Sequence, residues 1–186
     1  MRINIVGTTG AGKTTLARKL SRELGVADIE LDELYWQPKW TTTPPDEFME
    51  KVRHATHATD SWVLHGNYTR TRPLIWARAT HIVWLDYPPP FIFFRLLKRT
   101  LTRSFTKEPM WSAGNKESFT KAFFTKDSIL IWFFKTYKKN RTFVPELLRR
   151  PEFSHLKLIH LKSPGETESL LSRLVEEESN RETALA

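Results

Sequence analysis

The chain has 186 residues, enough for one domain with a sizeable core and short of the usual length of two. It has no cysteine, which excludes disulfides, thiolate metal sites, iron–sulfur clusters and a cysteine nucleophile, and fits an intracellular protein. Its formal charge of +8 is supplied by residues 91–150, which hold 14 Lys/Arg against 4 Asp/Glu together with 13 of the 23 aromatic residues; such a block points to a phosphate-bearing partner, whether nucleotide, nucleic acid or anionic membrane.

Arg2–Val6 is a short alternating apolar run and reads as a strand. It is not a basic segment followed by a long apolar core, so no secretory leader is expected and a cytoplasmic location is. Gly7-Thr8-Thr9-Gly10-Ala11-Gly12-Lys13-Thr14 follows at once and fits G-x-x-x-x-G-K-[ST]. The chemistry needs these residue types. Glycines let backbone N–H groups turn inward and approach phosphate oxygens. Lys13 brings a point charge to β- and γ-phosphates, Thr14 a hydroxyl to Mg²⁺, and the next helix its positive end. ATP and Mg²⁺ are therefore the expected cofactors, held by Gly7, Thr9, Gly10, Ala11, Gly12, Lys13, Thr14 and Thr15.

The helix from Lys13 to Leu24 lines up Leu16, Ala17, Leu20 and Leu24, with Gly25 as its stop. Further strands are expected at Ala27–Leu31, Trp62–His65, His81–Leu85 and Leu156–Leu161. Further helices are expected at Asp46–Ala58, after Pro44-Pro45; at Phe91 to about Ser104, after Pro88–Pro90; and at Glu166–Glu178. Residues 104–127 are the least regular. Strands alternating with helices imply an α/β fold with a parallel sheet covered on both faces. One domain over 1–178 is expected, with a lid insertion at about 100–140 and a flexible tail at 179–186. No apolar run approaches the ~20 residues of a membrane helix.

Several other residues stand where chemistry is done. Asp32 follows the second strand, at the carboxyl edge where α/β sheets bind ligands; it suits an acceptor hydroxyl, or simply a helix N-terminus. Tyr35 and Trp36 suit the wall of the same pocket. Gly66 and Asn67 end the third strand, either to let a ligand approach and be hydrogen-bonded or to make a turn. Arg70 and Arg72 suit an acceptor-phosphate clamp or a solvated loop. Asp86 ends an apolar strand, the arrangement that holds Mg²⁺ directly or through water, or it caps the proline turn. Arg95 and Arg99 share one helix face, which Arg103 continues, and neutralise phosphoryl charge or line a wet face. Phe123, Phe124, Trp132, Phe133 and Tyr137 read as lid core.

With these residues placed, the chain resembles the adenylate-kinase-related P-loop kinases, and among them the small FlaR-type DNA topology modulation proteins. The resemblance runs from Arg2 to about Leu174. It is carried by Gly7–Thr15, Leu31-Asp32-Glu33-Leu34-Tyr35-Trp36, His65-Gly66-Asn67-Tyr68, Leu85-Asp86-Tyr87-Pro88 and Arg95–Arg99. It implies a P-loop NTPase fold, a five-stranded parallel sheet ordered 2-3-1-4-5 with a basic helical lid. It also implies an acceptor site at the ends of the second and third strands. The pair Arg95 and Arg99 would open the lid, Arg141 would be a further lid arginine, and Ser163-Pro164 would belong to a loop cupping the adenine. His65 stands where that family ordinarily carries Asp, which bears on acceptor identity and catalytic competence.

The leading expectation is thus an ATP-dependent phosphotransferase acting on a nucleotide or small molecule, with the acceptor between Asp32, Tyr35, Trp36, Gly66, Asn67 and Arg70. Lys13, Arg95, Arg99 and Arg141 would act on the phosphoryl group, and Thr14 and Asp86 would serve the metal. The alternatives are a nucleic-acid-associated regulatory ATPase using residues 91–150, or a nucleotide-binding protein without kinase activity.

Overall fold

The structure, a computed structural model, describes residues 1–124 and 128–185. The described strands are β1 (Arg2–Gly7), β2 (Ala27–Glu30), β3 (Trp36–Gln37), β4 (Thr41–Thr42), β5 (Trp62–His65), β6 (His81–Leu85) and β7 (Lys157–Leu161). The helices are α1 (Lys13–Leu24), α2 (Leu31–Tyr35), α3 (Pro45–His57), α4 (Arg72–Arg78), α5 (Pro89–Thr106), α6 (Phe119–Phe124), α7 (Ile129–Leu148) and α8 (Pro164–Leu185). Five strands form one parallel sheet in the order β2-β5-β1-β6-β7. The two-residue strands β3 and β4 make a separate antiparallel ribbon. Counting only the sheet strands, the order is second-third-first-fourth-fifth, as expected.

The period of two in each strand divides the core into two layers. Ile3 and Ile5 of β1 and Val83 and Leu85 of β6 face α1, α5 and α8, meeting Leu16, Leu20, Ile92, Leu96 and Leu170. Val6, Leu64, Ile82 and Trp84 face the other way, onto Phe48 and Val52 of α3 and Ile75 and Trp76 of α4. Asn4 is the one polar side chain inside β1, and it is satisfied at both ends. Its Nδ2 donates to the Leu64 carbonyl at 3.1 Å, and Trp76 Nε1 donates to its Oδ1 at 2.8 Å.

Prolines start α3 and α5 at Pro45 and Pro89, where a missing N–H is harmless. Gly25 ends α1 at φ +64°. Three features depart from the sequence reading. Leu31, placed in the second strand by its apolarity, instead opens α2. The β3–β4 ribbon was not anticipated, because two-residue strands give no periodicity. Helix α8 runs on past residue 178 to Leu185, and the side chains of 178–185 lie outside the described residues, as do Lys126 and the side chain of Phe124.

Helix α7 positions the site more than any other helix. Its first half packs Phe133 and Tyr137 into one core layer, and its second half packs Val144 and Leu147 into the other. Its middle turn therefore crosses the carboxyl ends of the strands. There Asn140 meets Asn67 after β5, and Arg141 meets Asp86 after β6.

Candidate active site

The Gly7–Thr14 loop joins β1 to α1 at the carboxyl edge of the sheet, as the spacing requires. Gly12 adopts φ +103°, and a Cβ there would lie 3.0 Å from Arg95 Nη2. Glycine is needed at Gly12 for its backbone conformation, and its missing side chain lets the Arg95 guanidinium rest directly on the loop. Lys13 folds over the same loop. Its Nζ donates to the carbonyls of Gly7 at 2.9 Å and Thr8 at 3.2 Å. Enclosure of the ammonium holds its pKa down to about 8; Asp32 and Glu30 pull upward against this, and Arg99 adds to the lowering.

A cavity of about 120 Å³ opens beside the loop. Gly12, Thr15, Tyr87, Arg95, Pro164 and Thr167 are among its lining. Arg95 lies over the Phe91 ring at 5.4 Å, and the hydroxyls of Tyr87 and Thr167 hydrogen-bond. Pro164 shares this lining with Ala11 and Gly12. Ser163 caps the start of α8, its hydroxyl accepting from the Glu166 N–H at 3.3 Å.

On the other side of Lys13 lies a charged cleft. Tyr68 Oη donates to Asp32 Oδ1 at 2.5 Å, and burial first, then Asp32, pushes the phenol well above its usual range. Asp32 is also close enough to act on both Lys13 and Arg99. Burial lowers the Arg99 pKa, and its neighbours Arg103, Glu117, Asp32 and Arg95 all act on it. Thr14 Oγ1 faces His65 Nδ1 at 3.5 Å, and His65 Nε2 lies 3.3 Å from Asp28 Oδ1 and 3.9 Å from Glu30 Oε2. His65 thus bridges the phosphate loop and the acids of β2.

Tyr35 packs on Phe48 and Tyr68, and Trp36 stands edge-on to Tyr35. Beyond Trp36 come Trp40 and Trp111, the latter nearly parallel to Trp36 with ring centres 6.4 Å apart. Trp111 belongs to the irregular stretch after α5, which is latched onto the β3–β4 ribbon. Asn115 Oδ1 accepts from the Trp40 N–H at 2.9 Å, and its Nδ2 donates to the Gln37 carbonyl at 3.0 Å. Trp111 Nε1 donates to Glu30 Oε1 at 2.9 Å, and Ser112 N–H to Glu33 Oε1 at 2.9 Å. Sequence reasoning missed Trp111, Asn115 and Glu30. Their only signal is tertiary, across roughly 80 residues of chain.

Tertiary packing sets the surroundings of Asp86, Arg141, Asn67, Arg70 and Gly66. Asp86 does not stand open for a metal. Arg141 Nε donates to its Oδ1 at 2.9 Å, and His160 Nε2, stacked on Trp84, lies 3.0 Å from its Oδ2. Arg141 is held by Asp86 and by the Tyr137 hydroxyl at 3.2 Å. Asn67 is engaged on both sides, donating to Asn140 Oδ1 at 3.2 Å and accepting from Arg72. Arg70 is exposed, while Arg72 is buried against the Phe143 ring at 4.5 Å, with its pKa lowered to about 10 by burial. The loop thus turns the second arginine inward and leaves the first in solvent. Gly66 has a packing role: at φ +135°, a Cβ would sit 2.6 Å from Leu31 Cβ. Gly66→Ala is expected to destabilise the fold by about 2 kcal/mol or more, measured by urea unfolding, because both the conformation and the contact resist it.

No protein-family model and no curated protein matches the chain. Solved structures do. A gluconokinase from Sinorhizobium meliloti is 15% identical, with a TM-score of 0.51 over 96% of this chain and 95% of its own. A sugar kinase from a Janibacter species is 17% identical, with a TM-score of 0.53 over 94% of this chain and 91% of its own. A shikimate kinase from Bacteroides thetaiotaomicron is 19% identical, with a TM-score of 0.49 over 95% and 97%. Among the described residues no helix is long and apolar enough to cross a membrane. Nothing in these similarities supports a nucleic-acid partner. The five-stranded parallel sheet with its helices on both faces is the fold this chain shares with the gluconokinase and the sugar kinase.

Proposed function

We propose that this chain is an ATP-dependent phosphotransferase that moves the γ-phosphoryl group to a hydroxyl of a small acceptor. One observation carries the reading. Lys13 and Arg99, two enclosed cations, converge with Asp32 between the phosphate loop and a tryptophan wall. Phosphoryl transfer asks for this combination of cations for the spreading charge and a carboxylate for the attacking hydroxyl.

The residues present fit a magnesium triphosphate. Mg²⁺ keeps several waters and is commonly held by phosphates plus one or two protein oxygens, so the Thr14 hydroxyl beside the loop is a suitable ligand. Asp86 is suited to a supporting role through water, since Arg141 balances its charge and each of its oxygens already has a partner. No group of three or more His, Asp or Glu among the described residues could hold a metal by itself.

In this reading the backbone of Gly7–Thr15 receives the phosphates, and Lys13 exchanges two carbonyls for phosphate oxygens. Arg95 covers the nucleotide from α5, and Arg99 neutralises the moving group. Asp32, oriented by the Tyr68 hydroxyl, takes the proton of the acceptor hydroxyl. Trp36 and Trp111 wall the acceptor, so the stretch after α5 serves as the lid and excludes water. The FlaR-type resemblance belongs to the same reading, as does work in the cytoplasm, where ATP is available.

The test is a panel of nucleosides, nucleoside monophosphates and small alcohols offered with ATP carrying a labelled γ-phosphate. Transfer to one hydroxyl class is expected, and none to any of them counts against the reading. The pH dependence is a second test. Free Lys13 loses its proton as pH rises through about 8, whereas bound phosphate would hold it. Binding therefore takes up a proton above that pH. ATP affinity is expected to be flat near pH 7 and to fall by up to about tenfold per unit above 8, with proton uptake visible by calorimetry in buffers of different ionisation enthalpy.

A further inference from the structure

The phosphate site uses only a few of the cations in residues 91–150, and four others, Lys98, Lys135, Lys138 and Lys139, are exposed on helices α5 and α7. Helix α5 is apolar on both sides. Ile92, Leu96 and Thr100 face the core, while the outer face carries Phe94, Lys98 and Phe105 at helical spacing. Phe94 is 67% exposed and Phe105 77%. Helix α7 continues this surface with Phe134, 65% exposed. Phe93 touches both Phe94 and Phe134, with ring centres 6.0 and 5.5 Å apart, so the two helices present one patch. Lys135, Lys138 and Lys139 are exposed on the same helix. From Phe91 to Lys107 and from Ile129 to Pro145 there is no Asp or Glu.

We propose that this outer face of α5 and α7 docks on an anionic phospholipid surface, with its phenylalanine rings entering the headgroup layer and its lysines meeting the lipid phosphates. Exposed rings on two neighbouring helices, flanked by lysines and free of acids, suit the boundary between acyl chains and headgroups. A second copy of the chain is disfavoured, since a two-fold contact would set Lys98, Lys135, Lys138 and Lys139 against themselves. A single-stranded nucleic acid asks for a basic groove that tracks its backbone, whereas exposed phenylalanine rings side by side with lysines match the two layers of a lipid interface. The inference is independent of the kinase reading, because none of these residues belongs to the nucleotide or acceptor sites.

The experiment is co-sedimentation of the full chain with phosphatidylcholine vesicles, with and without about 30% phosphatidylglycerol. Binding is expected only with the anionic lipid, and should be lost near 0.5 M salt, roughly where surface charges are screened. The double variant Phe94→Ser/Phe134→Ser should lower partitioning by about tenfold or more. The triple variant Lys135→Glu/Lys138→Glu/Lys139→Glu should bring it to background. Circular dichroism confirms that each variant is folded. No binding to anionic vesicles overturns the proposal, and so does binding that the phenylalanine variant leaves unchanged. Tighter binding to a single-stranded oligonucleotide at the same salt, or concentration-dependent dimerisation abolished by the phenylalanine variant, assigns the face to another partner and overturns it equally.

Discussion

Lys13→Met is expected to reduce ATP-dependent phosphoryl transfer by about 10³-fold or more while leaving the fold intact. The activity loss follows from position. Lys13 sits at the mouth of the phosphate loop, between Asp32 and Arg99, and is the cation nearest to where β- and γ-phosphates would lie. The stability expectation follows from environment. Its ammonium is enclosed tightly enough to lower its pKa to about 8, so the free protein pays to keep that charge. Methionine keeps the length of the stem and removes the charge. The melting temperature should therefore be unchanged or slightly raised, measured by calorimetry alongside the transfer assay. A variant that melts much lower would instead give Lys13 a structural role.

Asp32→Asn is expected to lower kcat by about 10²–10⁴-fold with little change in the KM for ATP. Asparagine keeps an oxygen for the Tyr68 hydroxyl, so the hydrogen bond that orients position 32 survives. What is lost is the negative charge that offsets Lys13 and Arg99 and that, in the proposed reaction, takes the acceptor proton. Asp32→Ala removes the hydrogen bond as well and should add a stability loss of about 1–3 kcal/mol, because the Tyr68 hydroxyl then lacks its partner. The two variants should be alike in rate and different in melting temperature. Equal loss of stability in both would point to a structural carboxylate.

What the sequence revealed, and what it hid, follows the range of the interactions. The phosphate loop was legible because its chemistry is local: Gly12 and Lys13 are adjacent, and the strand before and helix after announce themselves by periodicity. The sheet order came from the resemblance, and the structure agrees. Pro164, which the resemblance assigns to an adenine loop, lines the cavity beside Gly12. The outcome at Arg70 and Arg72 was not legible, because two arginines in one loop are equivalent until packing turns one of them onto Phe143. Asp86 looked open to a metal because its partners Arg141 and His160 are 55 and 74 residues away. Gly66 looked like an approach for ligand, and only the three-dimensional contact with Leu31 explains it. The tryptophan wall was half visible. Trp36 was read, while Trp40 sits on a ribbon too short to predict, at φ +61°, and Trp111 arrives from the stretch after α5. The basic block was read as one feature and divides into two. Arg95 and Arg99 face the cleft, while the lysines of α7 face solvent.

The central claim is that the loop from Gly7 to Thr15 binds a magnesium triphosphate through Lys13. Isothermal titration of the chain with ATP and Mg²⁺ at pH 7, beside Lys13→Met, tests it without needing the acceptor. The account predicts saturable one-site binding by the natural chain, weakened by about 100-fold or more in the variant. No binding, or binding that Lys13→Met leaves unchanged, would contradict it.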